Sequence, residues 1–476
     1  MKTATAAALA LLPALAAHPA AAQQALIDAL PRGQVVERVR SASDTSRTYA
    51  LYLPSAWTPE RKWPLLLLID PAGRALVPME RFRAAAERRG WILMSGYEVG
   101  NGDAAAMARN DVSVDAMLAD AQQHLAMDPR RLYLAGFSGM ARYSWLAARA
   151  LDPNVAGVIG AGAGFPQQPV LWMAALRSVH PFAFFATVGS TDFNLDEVAA
   201  VDSMLDATTF PHRLARFEGP HQWPPEEVVA QALDWLQLQA MHTGAAPRDS
   251  AFADSLFRAG MARAQALEQA GRQADALREY TLLRADMNGL HDVSAAEARI
   301  VALGRDPAVA RERARRRALA QQYAQYRASI DAFLNTLDGD PATSVPRAAA
   351  TLRLAELRRQ EQDSVADRDA AHTATRMLTT ALVAASDRAG GLMQSQQWQK
   401  AAAALQVARQ IRPENAYVCY PLARALAQNR ETAAALDALA CAVDGKAVRR
   451  ATLDGDRLLD PLRSEPRFGE IVARAQ

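Results

Sequence analysis

The sequence predicts a doubly wound α/β domain with a mostly parallel sheet, followed by a domain built only of helices. Between residues 46 and 239, short apolar runs alternate with helical stretches, as expected of parallel strands joined by crossover helices. Residues 65–69 are apolar without interruption, which is typical of a strand buried on both faces. From residue 251 onward, apolar residues recur at helical spacing instead. A chain of 476 residues is also too long for a single core.

The elements of the α/β part are predicted from the period of their apolar residues. The first two strands alternate apolar and polar residues and should be half exposed, whereas the later strands are continuous apolar runs. Strands are predicted at residues 33–40, 46–54, 65–69, 91–96, 132–135, 155–159, 182–188 and 213–217, and helices at residues 77–89, 111–125, 141–150, 196–205 and 225–239. In such a sheet, ligands bind beyond the carboxyl ends of the strands.

The first 22 residues have the features of an export signal. A short positive start, Met1-Lys2, precedes a mostly apolar run at residues 6–17, and small residues ending at Ala22 predict cleavage there. A retained N-terminal anchor is the alternative. No later run approaches the ~18 apolar residues of a spanning helix. We therefore expect a periplasmic or secreted protein without an integral membrane segment after cleavage.

Charge and cysteine content exclude several classes of function. The formal net charge is only +2, so there is no electrostatic case for nucleic acid as a partner. The two cysteines, Cys419 and Cys441, cannot form a disulfide framework or a Cys-rich metal site. The sequence implies no metal or cofactor. Export would permit one disulfide, but neighbouring helices often hold cysteines beyond bonding reach, so this pairing is left open.

The turn after the strand at residues 132–135 is the first candidate site. It reads Gly136-Phe137-Ser138-Gly139, and a helix is predicted directly after it. A strand that turns sharply into a helix with a serine at its apex is a nucleophile elbow, and the helix N-terminus offers backbone N–H groups to an oxyanion. The usual pattern ends in a second glycine, where this chain has Met140. A purely structural turn is the alternative interpretation.

An acid and a base follow at the ends of later strands. Asp192 comes after a strand and a Gly-Ser-Thr turn, and His221 lies in the loop between the last strand and the last helix. None of the other histidines of the sequence follows a strand at this edge, and the order serine, acid, histidine is that of α/β-hydrolases. Asp192 could instead be a helix cap, and Asp196 is the competing acid, better explained as first-turn charge.

Residues 46–238 resemble the capless α/β-hydrolase esterases, in particular the polyhydroxybutyrate depolymerase and feruloyl-esterase-like group. The matching motifs are Gly-Phe-Ser-Gly, Gly-Ser-Thr-Asp and Gly-Pro-His-Gln-Trp-Pro. The resemblance implies that Ser138 is the nucleophile, His221 the general base and Asp192 the acid that orients the base.

The resemblance also implies an oxyanion hole and a substrate pocket. One donor would be the N–H of Gly139 and the other an N–H of the loop after residues 65–69. In that loop Asp70-Pro71 replaces the usual His-Gly, and proline has no N–H, so Ala72 is the expected donor, with Gly73 as the next choice. The expected pocket walls are Trp223, Met140 and Tyr97, each of which could equally be a core residue.

The C-terminal part contains a repeated pattern of small and apolar residues. Ala389, Leu392, Ala401, Leu405 and Ala408 recur 34 residues later as Ala423, Leu426, Ala435, Leu439 and Ala442. This spacing resembles tetratricopeptide repeats, and a generic helical bundle is the alternative. Such arrays usually present a concave surface to a protein partner.

These observations predict a signal peptide over residues 1–22, an α/β-hydrolase domain over residues 23–243 and a helical repeat domain over residues 244–476. The expected function is an exported serine hydrolase that cleaves a small or polymeric carboxylic ester through an acyl-enzyme on Ser138. Two alternatives remain: a serine peptidase on the same triad, and an inactive hydrolase fold that binds a partner together with the repeats.

Overall fold

A computed structural model of the chain describes residues 30–166, 169–365 and 367–475. The predicted signal peptide lies outside these residues. Within the described ranges, no helix combines the length and the apolar character needed to cross a membrane.

Eight strands of the described chain form one sheet. They are β1 (Val35–Arg40), β2 (Thr48–Tyr52), β3 (Trp63–Ile69), β4 (Ile92–Gly96), β5 (Met127–Phe137), β6 (Val155–Ala161), β7 (Ala183–Gly189) and β8 (His212–Phe217), in the spatial order β1-β2-β4-β3-β5-β6-β7-β8. The pairs β1–β2 and β2–β4 are antiparallel, and the pairs from β4 through β3, β5 and β6 to β7 are parallel. The predicted doubly wound, mostly parallel sheet of the α/β-hydrolase fold class is therefore confirmed.

Helices follow the strands and bury the centre of the sheet. They are α1 (Leu76–Arg89), α2 (Ala104–His124), α3 (Gly139–Ala150), α4 (Pro169–Ala175), α5 (Leu195–Leu205) and α6 (Glu226–His242). Every residue of β3 is buried, and Leu66 and Leu68 share one core with Phe82 of α1 and Leu233 of α6. This burial on both faces explains why the sequence of β3 is apolar without alternation.

The regular elements in the remaining described part of the chain are helices. They are α7 (Ser250–Gln269), α8 (Gln273–Met287), α9 (Ser294–Gly304), α10 (Pro307–Gly339), α11 (Pro341–Thr351), α12 (Leu354–Gln362), α13 (Arg368–Gln394), α14 (Trp398–Ile411), α15 (Cys419–Gln428), α16 (Thr432–Asp444), α17 (Arg450–Gly455) and α18 (Pro466–Ala473). Alanines and leucines of α13 to α16 form one core, in which Ala401, Ala423 and Ala435 are fully buried. The helical character is confirmed, and the tetratricopeptide assignment stays a prediction.

Cys419 of α15 and Cys441 of α16 form a disulfide, with their Cα atoms 5.9 Å apart. The sequence had left this pairing open. Both helices carry buried alanines, among them Ala423 and Ala442, and small side chains allow helices to approach within disulfide reach.

The chain divides into two compact units. The sheet unit contains the described residues up to Val188, together with Glu197–Phe217 and Gln222–Leu256, and the helical unit contains Gly189–Asp196, Glu218–His221 and the described residues from Phe257 onward. The two short loops that follow β7 and β8 thus pack with the helices. The predicted sequence boundary at residue 243 stays a prediction.

Candidate active site

Ser138 occupies a strained turn between β5 and α3. Its φ of 56° and ψ of −125° are unusual for a residue with a side chain and cost on the order of 1–3 kcal/mol. The N–H of Ser138 donates to the carbonyl oxygen of Ala161 on β6 at 2.8 Å, which holds the turn in place. A Cβ at Gly136 would lie 2.0 Å from the carbonyl oxygen of Met140. The strand and the helix can therefore meet this closely only with a glycine at position 136.

The first turn of α3 begins at Gly139, whose N–H has no acceptor within the helix by the geometry of helix starts. A Cβ at this position would lie 2.2 Å from Oδ1 of Asn101, so the Asn101 side chain lies directly against Gly139. Met140 is buried, with its sulfur 3.7 Å from Nδ2 of Asn110. Met140 thus lies in the core beneath the turn, the alternative that the sequence had left open, and its place in a pocket wall stays a prediction.

Asp192 and His221 form a close pair within the helical unit. Both oxygens of the buried Asp192 carboxylate contact Nδ1 of His221, at 3.0 and 2.9 Å. Oδ1 of Asp192 also accepts the N–H of Asn194 at 2.8 Å. A carboxylate at Nδ1 favours the tautomer that carries its proton there and leaves Nε2 able to accept another. The competing acid, Asp196, instead lies 3.4 Å from Nη2 of Arg376.

The loops that carry this acid and base are joined to each other. A Cβ at Gly189 would lie 2.3 Å from the carbonyl oxygen of Gly219 and 2.4 Å from that of Pro220. The N–H and the hydroxyl of Thr191 both donate to the Gly219 carbonyl, at 3.0 and 2.9 Å. The Gly-Ser-Thr-Asp and Gly-Pro-His motifs therefore have a structural reason, because their glycines and hydroxyls let two backbones meet beside Asp192.

Asp70 is the centre of a buried polar cluster in the sheet unit. Its carboxylate accepts hydrogen bonds from Nε and Nη2 of Arg74 at 2.9 and 3.0 Å, from Nε1 of Trp223 at 2.9 Å and from the N–H of Ala72 at 2.9 Å. The Ala72 N–H is therefore engaged within its own loop, contrary to its predicted role as an oxyanion donor. Asp70 replaces a residue of the esterase motif, and the structure gives a reason for it. Its bond to Trp223 anchors this loop to the segment after His221.

Trp223 and Tyr97, the other two predicted pocket walls, also contact residues of the protein itself. Trp223 is buried against Phe82 and Phe137, with ring centroids 5.8 and 5.7 Å away. The hydroxyl of Tyr97 donates to the carbonyl oxygen of Glu37 at 2.6 Å, and the guanidinium of Arg38 lies 4.2 Å from its ring centroid. The role of Trp223 and Tyr97 as pocket walls stays a prediction.

Two residues at the site were not indicated by the sequence. Asn101 lies in a loop that is recognisably polar, but nothing local shows that it packs on Gly139. The ring of Phe193 lies 4.5 Å from the imidazole of His221, centroid to centroid. Both contacts join segments that are distant in the sequence, and a single sequence gives no signal for them. Among the residues in the described ranges, no cluster of three or more His, Cys, Asp or Glu could hold a metal ion.

Burial alone would raise the pKa of Asp70, but the hydrogen bonds from Arg74, Trp223 and the Ala72 N–H outweigh it and hold that pKa below its usual range. Because the folded-state pKa is lowered, the charged carboxylate stabilises the fold above about pH 4, and this contribution is lost as the pH falls through the folded pKa. The Asp70 cluster should therefore contribute to stability at neutral pH and not in strong acid.

We expect Asp70→Asn to lower the free energy of unfolding by about 2 kcal/mol at pH 7, since it removes the charge from buried hydrogen bonds. The difference from wild type should shrink below about pH 4. Urea unfolding followed by tryptophan fluorescence measures both effects. Glu80→Gln is the matched control, because Glu80 forms an exposed ion pair with Arg83 at 3.5 Å that should contribute less than about 1 kcal/mol. Equal losses in both variants would contradict the account of Asp70.

Comparisons with solved structures found several neighbours of low similarity. An S-formylglutathione hydrolase from Staphylococcus aureus has a TM-score of 0.36 and 14% identity, covering 44% of this chain and 98% of its own. A ferulic acid esterase has a TM-score of 0.35 and 19% identity, covering 43% and 98%. The feruloyl esterase module from Clostridium thermocellum has a TM-score of 0.33 and 14% identity, covering 42% and 85%. No protein-family model and no curated protein matches this chain. Similarity at this level does not assign an activity.

Proposed function

We propose that this protein is a serine hydrolase that cleaves a carboxylic ester through an acyl-enzyme on Ser138. The observation that carries the proposal is the pairing of the Asp192 carboxylate with Nδ1 of His221. These two residues follow β7 and β8, and Ser138 follows β5 in a strained turn, so all three come after the carboxyl ends of strands of one sheet. That edge is where ligands bind in α/β folds.

The chemistry follows from these roles. His221 Nε2 takes the proton of Ser138 as the serine oxygen attacks the ester carbonyl carbon, and Asp192 stabilises the imidazolium that forms. The negative oxygen of the tetrahedral intermediate is received by the N–H of Gly139 at the start of α3. Collapse of the intermediate expels the alcohol, which takes its proton from His221. A water molecule, deprotonated by His221, then attacks the acyl-enzyme. As this second intermediate collapses, His221 returns the proton to the Ser138 oxygen and the carboxylic acid is released.

The N–H of Ala72 was predicted to be the second oxyanion donor, but it donates to Asp70 instead. A triad without a complete oxyanion hole would favour the alternative of an inactive fold that binds a partner, since one missing donor typically costs about 10²–10³ in rate. Substrates that differ only in the scissile bond separate the remaining alternatives.

The test is turnover of p-nitrophenyl esters of increasing acyl length beside p-nitroanilides of short peptides. We expect ester hydrolysis by the wild type and at least about 10²-fold slower anilide hydrolysis, because an ester has the better leaving group. Anilide turnover as fast as ester turnover would favour the peptidase. A folded protein that cleaves neither would favour the binding module. Export, and a protein partner for the helical repeats, are further parts of this proposal.

A further inference from the structure

Helices α10 and α13 contact the two loops that carry Asp192 and His221. All of these segments belong to the helical unit. Side chains of the described residues that make such contacts include one on α10 and three spaced four residues apart on one face of α13. They are Tyr323, Arg368, His372 and Arg376.

The strongest of these contacts involves Tyr323. This side chain is buried, and its hydroxyl donates to the carbonyl oxygen of Phe193 at 2.7 Å. Oγ1 of Thr380 lies 2.6 Å from the same hydroxyl and can donate to it, which leaves the phenol proton for the carbonyl. Phe193 directly follows Asp192, and its ring packs on His221. This hydrogen bond thus holds the backbone beside Asp192. Through the Phe193 ring, it also holds the position of the His221 imidazole.

A second contact holds the other end of the acid loop. The guanidinium of Arg376 is buried, with Nη2 3.4 Å from Oδ2 of Asp196 and its Cζ 5.3 Å from the ring centroid of Tyr323. Asp196 lies in the first turn of α5, four residues after Asp192. Arg376 therefore fixes the end of the loop and also packs on the tyrosine that holds its middle. Burial raises the pKa of Tyr323, so its hydroxyl remains a donor at neutral and mildly alkaline pH.

The base loop is held more loosely. Glu218, three residues before His221, contacts Nη2 of Arg368 at 3.0 Å and Nε2 of His372 at 3.0 Å. Glu218 and Arg368 are largely exposed, and exposed ion pairs contribute little. The buried contacts of Tyr323 and Arg376 should therefore contribute most to holding these loops in place.

We propose that Tyr323 and Arg376 are positioning residues for catalysis, which hold residues 189–196 so that Asp192 and Phe193 stay in contact with His221. This inference rests on the proposed function of Asp192 and His221. It makes the helical unit part of the catalytic apparatus and gives α10 and α13 a role that requires no partner.

Tyr323→Phe tests the proposal, with Tyr326→Phe as a matched control. Tyr326 is a buried tyrosine of the same helix, and its hydroxyl donates to the carbonyl oxygen of Leu352 at 3.1 Å, among the helices. Each variant loses one buried hydroxyl and keeps its ring. We expect Tyr323→Phe to lower kcat for ester hydrolysis by about three- to tenfold with KM nearly unchanged, and Tyr326→Phe to stay within about twofold of wild type.

Hydrogen exchange supplies a readout that does not depend on activity. Peptides covering residues 189–196 should exchange faster in Tyr323→Phe than in wild type or Tyr326→Phe. Unchanged exchange in these peptides, or equal kcat in the two variants, would overturn the proposal. If wild type cleaves no ester, the proposed function fails, while the exchange result still decides whether Tyr323 holds the loop.

Asp196→Asn is the second variant should Tyr323→Phe not fold. We expect it to lower kcat by about two- to threefold and to speed exchange in the same peptides, and wild-type values for both would overturn the proposal.

Discussion

Ser138→Ala is expected to lower kcat for ester hydrolysis by roughly 10⁶-fold, because a serine nucleophile and its base act as one unit. The loss should leave folding intact. Alanine keeps the Cβ that the turn already accommodates, and the backbone hydrogen bond from residue 138 to Ala161 does not involve the side chain. Thermal unfolding of the variant should therefore match wild type within a few degrees.

Ser144→Ala is the control for this prediction. Ser144 is a buried serine of α3, the helix that follows Ser138, and its hydroxyl donates to the carbonyl oxygen of Met140 at 2.9 Å. Removing that hydroxyl should cost about 1 kcal/mol of stability and little activity. Substantial residual turnover in Ser138→Ala, above that of a contaminating esterase, would exclude Ser138 as the nucleophile.

Asp192→Asn is expected to lower kcat by roughly 10⁴-fold with a small change in KM. Asparagine has nearly the same shape, but its amide cannot stabilise the imidazolium and can hold His221 in the wrong tautomer. Steady-state kinetics of the purified variant measure the effect.

Asp196→Asn is the matched comparison, because Asp196 is the competing acid of the sequence and contacts Arg376 instead of His221. We expect Asp196→Asn to lower kcat only two- to threefold, which is about the effect of losing a partly exposed ion pair. If Asp196→Asn lost as much activity as Asp192→Asn, the assignment of the acid would have to be revised.

The sequence was most informative where a local pattern has a physical cause within a few residues. Residues 65–69 are apolar because β3 is buried on both faces, and that burial showed in the sequence directly. Gly136 and the small residues around Asp192 marked sharp turns and close backbone contacts, which the structure has at these places. The strand ends that were expected to carry Ser138, Asp192 and His221 do carry them.

The contacts that the sequence did not predict are hydrogen bonds between segments far apart in the chain. Ala72 was expected to offer its N–H to an oxyanion, but the buried Asp70 carboxylate accepts it, and that arrangement also needs Trp223 from 153 residues away. The contact of Tyr323 with Phe193 spans 130 residues. Helical periodicity can place a residue on a buried face, but it does not say which carbonyl a buried hydroxyl will meet.

The most direct test of the central claim is mass spectrometry of the protein after reaction with a fluorophosphonate. Such a reagent modifies a serine only when a base activates its hydroxyl. We expect one phosphonyl group on the wild-type protein, located on the peptide that contains Ser138, and none on folded Ser138→Ala or His221→Ala. A folded wild-type protein that remains unmodified, or a modified serine elsewhere in the chain, would contradict it.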